Sequence, residues 1–164
     1  MKTDLLKVRQ RIETQGFLGL TDDEIRQANY WLRLAPGLCA LWIAIAVINA
    51  SPIMLGMMVP FAFLGGVSDG HPFDVIYNHG IRHLLRTAEL PEYPAPRRFA
   101  CLMASVMLST TAIFFAVGLD TAGYLLGSAM TLMATMNVLT GICGPAVLYG
   151  LLFGFPAAYR VEGR

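Results

Sequence analysis

Charge is scarce in this chain. Only 14% of its 164 residues are Asp, Glu, Lys or Arg, while 55% are hydrophobic. An ordinary soluble domain carries about 25% charged residues, so a bilayer is the environment that fits. No charged side chain falls between Leu34 and Val67 or between Phe99 and Leu119. That argues against a proton pump or ion-coupled transporter, whose relays place ionisable groups inside the membrane. The net charge is +1, too small for a chain that grips a phosphate backbone, so nucleic acid is excluded as the main partner. Cysteine is sparse as well. Cys39, Cys101 and Cys143 lie in apolar tracts without paired spacing, which suggests neither a disulfide framework nor a zinc site; they read as small apolar side chains. A Ser/His/Asp order, a phosphate-cradling glycine loop and an intramembrane carboxylate pair are all missing, so no catalytic residue follows from motifs. The opening MKTDLLKVRQRIETQ is charged throughout with no early apolar core, unlike a secretory signal peptide.

What is present predicts an all-α polytopic membrane protein. Residues 1–20 form an amphipathic N-terminal segment and residues 21–164 a four-helix membrane domain. In the first of these, Leu5, Leu6, Val8 and Ile12 fall near one face of a helix over Thr3–Gln15, opposite its basic residues. Two readings stand for it: a helix lying on a membrane surface or a partner, and a solvated terminus. Gly16 and Gly19 break it, and Thr21 with Glu24 makes a capping box for the next helix. The spans are placed at about 34–50, 52–67, 99–119 and 122–153. The first, with Trp31 and Leu32 before it, crosses a core of roughly 30 Å at about 1.5 Å per residue. Pro36 offers a kink near its start, Pro60 a kink in the second span, and Pro52 a helix start after a tight turn. Thr121 is the expected cap of the fourth helix. That helix is longer than one crossing needs, and Gly144–Pro145 is where it would bend.

All twelve Lys and Arg residues lie in the N-terminal stretch before the first span (residues 1–33), the bridge 69–98 and the C-terminal tail. Under the positive-inside rule this places both termini and the bridge in the cytoplasm, with four crossings.

The bridge holds all three histidines. His79 and His83 stand four residues apart, a metal- or haem-ligand spacing on a helix; without nearby acids or thiolates the pair reads instead as interfacial polar groups, and no metal site is expected. Val75, Ile76, Tyr77, Leu84 and Leu85 suggest an amphipathic interfacial helix, with Arg82 and Arg86 reaching lipid phosphates. Pro91, Pro94 and Pro96 predict an extended connector into the third span. The residues expected to contact partners are His71, Phe73, Asp74, Tyr77, Asn78, His79, Arg82, Arg86, Arg97 and Arg98. Asn137, deep in the last span, joins them either through a ligand or through a hydrogen bond between helices. Nine methionines at helical spacing read as adaptable packing rather than a copper site.

The segment His71-Pro72-Phe73-Asp74 through Tyr77-Asn78-His79-Gly80-Ile81-Arg82, the step from Pro94 to Phe99, and Gly141-Ile142-Cys143-Gly144 with Tyr149 resemble a bacterial family of small integral membrane proteins of unknown function. Arg26-Gln27-Ala28-Asn29 is similar to the element before that family's first span. The resemblance implies the bacterial inner membrane and association with thioredoxin-like or rhodanese-like proteins, hence thiol or sulfur chemistry. Relatives carry Cys-x-x-Cys in the last span; here Ala146 stands where the second cysteine would be, so the internal disulfide of a dithiol relay, and with it any redox activity of the family, is expected to be lost in this chain.

Two functions are expected. One is a non-catalytic accessory subunit, surrounded by lipid and other integral subunits, that packs beside a larger photosynthetic or respiratory complex. No cofactor is required by the sequence, although a pigment, haem or lipid contact is open. The other is a thiol- or sulfur-handling redox protein using Cys143, served by His79 or His83.

Overall fold

Caps and prolines set where most of the helices begin. The computed structural model describes residues 2–85, 87 and 89–154; Arg86 and the tail 155–164, both invoked from the sequence, lie outside the described residues. Helix α1 covers Lys2–Thr14, and Gly16 (φ 95°) turns the chain away from it. Helix α2 covers Asp22–Trp31: the Thr21 hydroxyl accepts from the Glu24 amide at 3.4 Å, and the Glu24 carboxylate accepts from the Thr21 amide at 2.8 Å. The expected capping box is therefore present. After a single turn at Leu32–Arg33, α3 covers Leu34–Ile48. Pro36 sits in the first turn of α3, where a missing N–H costs no helical bond. Ser51 accepts from the Met54 amide at 3.3 Å and Pro52 opens α4, Pro52–Val67, which continues through Pro60.

The bridge is helical over its first half. His71 caps α5 (Pro72–Ile76), which runs through a π-helical stretch, Tyr77–Ile81, into α6 (Arg82–Leu85). This arm bends by 79° from α4. Helix α7 covers Ala95–Ala116 and so begins at Ala95 rather than Phe99. Pro94 and Pro96 act as helix starters there instead of holding an extended connector, because a fixed φ near −65° suits the first helical turn. As a result Arg97 and Arg98 lie inside the helix. Helix α8, Asp120–Thr140, begins with Leu119 at its cap and no side-chain bond, so Thr121 does not cap it. Nor does one helix run from 122 to 153. Gly141 takes a left-handed conformation (φ 72°) that ends α8, and α9 starts afresh at Gly144–Phe153 with Pro145 in its first turn.

Two cores follow from this order. Helices α3, α4, α7 and α8 share one, built on Ile43, Val47, Leu55, Met58, Leu108 and Met130. Close approach depends on glycine: a Cβ at Gly66 would stand 2.5 Å from Leu102 Cγ, and one at Gly127 would stand 2.4 Å from Val47 Cγ2. The second core joins α1, α2 and the bridge through Ile12, Phe17, Ile25, Tyr77, Leu90 and Tyr93. The N-terminal helix is thus docked on its own chain, where Arg9 also pairs with Asp22 at 2.6 Å.

The outward surface is apolar. Leu41, Ile48, Ile53, Val106, Leu125 and Leu151 are each more than 60% exposed, a belt that water penalises and lipid does not. Three helical stretches are long and apolar enough to cross a bilayer: Asp22–Ile48, Ala95–Ala116 and Asp120–Thr140. A fourth is available if α4 and its bent arm count together. No strand occurs among the described residues.

Candidate functional site

Starting α7 at Ala95 puts Arg97 and Cys101 one turn apart on a single face. That face looks into a cavity of about 140 Å³ lined by α3, α4, α7, α8 and the start of α9. Cys39 reaches it from α3, Cys101 from α7, and Cys143 from the break before α9. All three thiols are free and line the same space. Much of the remaining wall is Met, Ala, Ile and Pro, apart from His71, Tyr93, Arg97 and Asn137 at its polar end.

His71 owes its place to the cap of α5. Its Nδ1 accepts from the Phe73 amide at 3.3 Å, and its Nε2 stands 3.8 Å from Cys39 Sγ. With Nδ1 occupied as an acceptor, the hydrogen-bond pattern puts the proton of a neutral ring on Nε2, facing the sulfur. Burial, reinforced by the Arg97 charge, pushes the imidazole down to about 4, so the ring is neutral at pH 7. Gly65 makes room for this arrangement: a Cβ there would meet the His71 ring at 2.8 Å and Cys101 Sγ at 3.2 Å. Asp74 completes the cap by accepting from the His71 amide at 3.4 Å. Its Oδ1 is buried without a hydrogen-bond partner among the described residues, and burial pushes its carboxyl above the usual range.

Arg97 is 3% exposed. It donates to the Leu32 carbonyl at 2.8 Å and to Gln15 Oε1, and its guanidinium lies 5.2 Å from the centre of the Tyr93 ring. Gln15 in turn donates to the Gly141 carbonyl at 2.7 Å. Gln15, just past α1, therefore stands behind Arg97 and ties α7 to the end of α8. Beside it, Arg33 donates to the carbonyls of Val138 and Leu139 at 2.9 and 3.2 Å.

The remaining bridge residues are placed elsewhere. His79 and His83 are exposed and do not line the cavity; His79 is bonded to the Val75 carbonyl and His83 lies beside Arg82. Among the described residues no three His, Cys, Asp or Glu side chains form a group able to hold a metal ion. Arg82 pairs with Glu89 and Arg98 with Asp69, each at 2.5 Å. Asn78 accepts from the Leu90 amide at 3.0 Å, and Phe73 stacks on Phe61 at 5.5 Å. Tyr77 is fully buried, bonded to Thr87 at 2.7 Å and packed on Trp31. His71, Asp74, Tyr77 and Arg97, expected at a partner contact, are thus buried within the chain. Cys39, Cys101, Tyr93, Gln15 and Arg33 are site residues that sequence reading missed.

A family model described as "Domain of unknown function (DUF4395)" matches residues 29–153. No curated protein and no solved structure matches the chain.

Proposed function

Given that the chain belongs to the DUF4395 family, a domain of unknown function, we propose from its own residues that it is a thiol- or sulfur-handling integral membrane protein, with Cys39 as the sulfur best placed to react. One observation carries this reading: cysteines from three separate segments meet His71 and Arg97 around one cavity. Thiol chemistry proceeds through the thiolate, which needs a cation or a donor beside it in an apolar space. Here His71 Nε2 faces the Cys39 sulfur, and the Arg97 guanidinium supplies positive charge.

Against a substrate disulfide, the Cys39 sulfur attacks one sulfur, the S–S bond breaks, and the departing thiolate takes up the proton that Cys39 gives up. Cys101 or Cys143 then attacks the mixed disulfide. That step releases the second substrate thiol and leaves an internal disulfide. The substrate is reduced and the protein dithiol oxidised; a reduced dithiol partner, such as the thioredoxin-like proteins implied by the resemblance, restores the starting state.

We further place the chain in the bacterial inner membrane with four crossings, both termini and the bridge cytoplasmic, on the segregation of its Lys and Arg residues. The accessory-subunit reading draws on the apolar outer surface alone, a property of any multi-span protein, and so stands second to the sulfur site.

Site-resolved alkylation with iodoacetamide in intact membranes tests the proposal. A rate at Cys39 that rises with pH and falls in a His71→Asn variant supports it. Cysteines inert in the folded protein would sink it and leave the accessory-subunit reading.

A further inference from the structure

Six of the described arginines that contact other elements fall into two classes. Arg9, Arg82 and Arg98 each have a carboxylate within 4.0 Å: Asp22, Glu89 and Asp69. Arg11, Arg33 and Arg97 have none among the described residues, yet these three line one narrow crevice. The crevice holds about 10 Å³, room for roughly one water. It meets the thiol cavity at Arg97 and Asn137, which line both, and Gln15 stands across it.

The compensation within the protein is small. Arg33 and Arg97 donate to carbonyls at helix ends, and the end of α8 carries only about half an elementary negative charge. Asp74 acts on Arg97 from a distance only, with no carboxylate oxygen within ion-pair reach. Arg33 Nε is buried and has no acceptor among the described residues. The Arg11 side chain has no hydrogen-bond acceptor among the described residues. Arg97 is buried, and Arg11 and Arg33 are half-buried beside it, so three guanidinium groups around one crevice leave an excess of positive charge where solvation is reduced and a charge without a partner is costly. Structural capping accounts for two bonds of Arg33, and Asn29 Oδ1 accepts a third at 2.9 Å. It does not account for gathering Arg11 and Arg97 at the same point.

We propose that this crevice is the recognition site and access route for a small amphipathic anion, with Gln15 as its latch. The charged end of the ligand takes the place of Gln15 Oε1 on Arg97. Its compact apolar or sulfur-bearing body fills the methionine- and cysteine-lined cavity, whose volume resembles cavities that hold a benzene-sized molecule. The inference rests on the thiol-handling reading and names the substrate class for the same site: a small anion carrying thiol-reactive sulfur, rather than a cation or a neutral lipid.

The test uses the full chain in membrane vesicles permeable to the probes and three methanethiosulfonates, with rates divided by those for a free thiol in solution. The sulfonatoethyl reagent is anionic, the trimethylammonioethyl reagent cationic, and the methyl reagent small and neutral. In each reaction a cysteine sulfur attacks the sulfenyl sulfur, a new S–S bond forms, methanesulfinate leaves, and the thiol proton goes to solvent. Mass spectrometry locates the adducts. The expected result is anionic labelling of Cys39, Cys101 or Cys143 about tenfold or more faster than cationic labelling, as one well-formed charge contact gives. Arg11→Gln, which removes a half-buried side chain without acceptors, and Arg97→Gln should bring that ratio toward one, while Gln15→Ala should speed anionic labelling. Labelling without charge preference, faster cationic labelling, or a ratio that survives Arg11→Gln in a folded protein overturns the inference and leaves the thiol site standing. Failure of all three reagents, the neutral one included, overturns the thiol-handling reading itself.

Discussion

His71 Nε2 lies 3.8 Å from Cys39 Sγ across the cavity, while His71 Nδ1 is held by the Phe73 amide at 3.3 Å. Because the cap fixes the tautomer, the imidazole faces the sulfur as a donor and cannot take its proton through Nε2. The role that follows is stabilisation of a Cys39 thiolate. A His71→Asn variant keeps a side-chain acceptor for the Phe73 amide, since Asn is a good cap, but loses the donor. The expected outcome is a Cys39 alkylation rate lower by about tenfold, the effect of one hydrogen bond of about 1.4 kcal/mol, with the helical circular dichroism unchanged. Equal rates would show that the two side chains are neighbours only.

The same histidine shapes stability against pH. Its folded pKa of about 4 lies below the unfolded value of 6.5, so the unfolded chain binds the extra proton first. Its contribution is therefore fully present above pH 6.5 and is lost as pH falls toward 4. Asp74 acts in the opposite sense, because its folded carboxyl is raised and its contribution fades as pH rises. Comparison with His71→Asn isolates the histidine. The melting temperature of wild type in mild detergent should fall more steeply between pH 6.5 and 4 than that of the variant; parallel curves would place His71 in contact with water.

Glycine governs helix spacing at two named points. Alanine at Gly66 forces Leu102 and at Gly127 forces Val47, each beyond van der Waals contact. Overpacking of this kind costs about 1–3 kcal/mol, and both variants should melt several degrees lower. Gly56→Ala meets nothing within 4 Å and should leave the melting temperature unchanged or slightly higher.

Gln15 ties Arg97 to the Gly141 carbonyl. Its truncation to Ala leaves a buried guanidinium nitrogen and a buried carbonyl short of a partner, at about 1–3 kcal/mol for each group left unsatisfied. Hydrogen exchange of α1 should rise in Gln15→Ala while α4 and α7 stay protected. Loss of protection throughout the bundle would mean that α1 belongs to the same cooperative unit.

The helical class and its suitability for a bilayer were legible in the sequence, because charge-free apolar tracts, the Thr21 cap and the helix-starting Pro52 act locally. The site was not. Cys39, Cys101 and Cys143 are far apart in the chain, and only the packing of α3 against α8 and of α7 against α8 and α9 gathers them. A local signal did exist: Arg97 and Cys101 are four apart, and the prolines at 94 and 96 suit a first turn. Reading those prolines as a connector began the helix too late and left Arg97 outside it. His79 and His83 drew attention by their spacing, yet they point outward, while His71 acts through a cap that hid its second nitrogen. The break at Gly141 depends on a left-handed residue, which composition suggests only as a nearby bend at Gly144–Pro145.

That three distant thiols share one small space is the claim on which the rest depends, and counting maleimide adducts on the folded protein tests it most directly. A cavity of about 140 Å³ has room for one N-ethylmaleimide adduct. The account expects native membranes to yield a single adduct per chain, distributed among Cys39, Cys101 and Cys143, and denatured protein to yield three. Two or three adducts on the folded chain would contradict it, because the cysteines would then occupy separate sites.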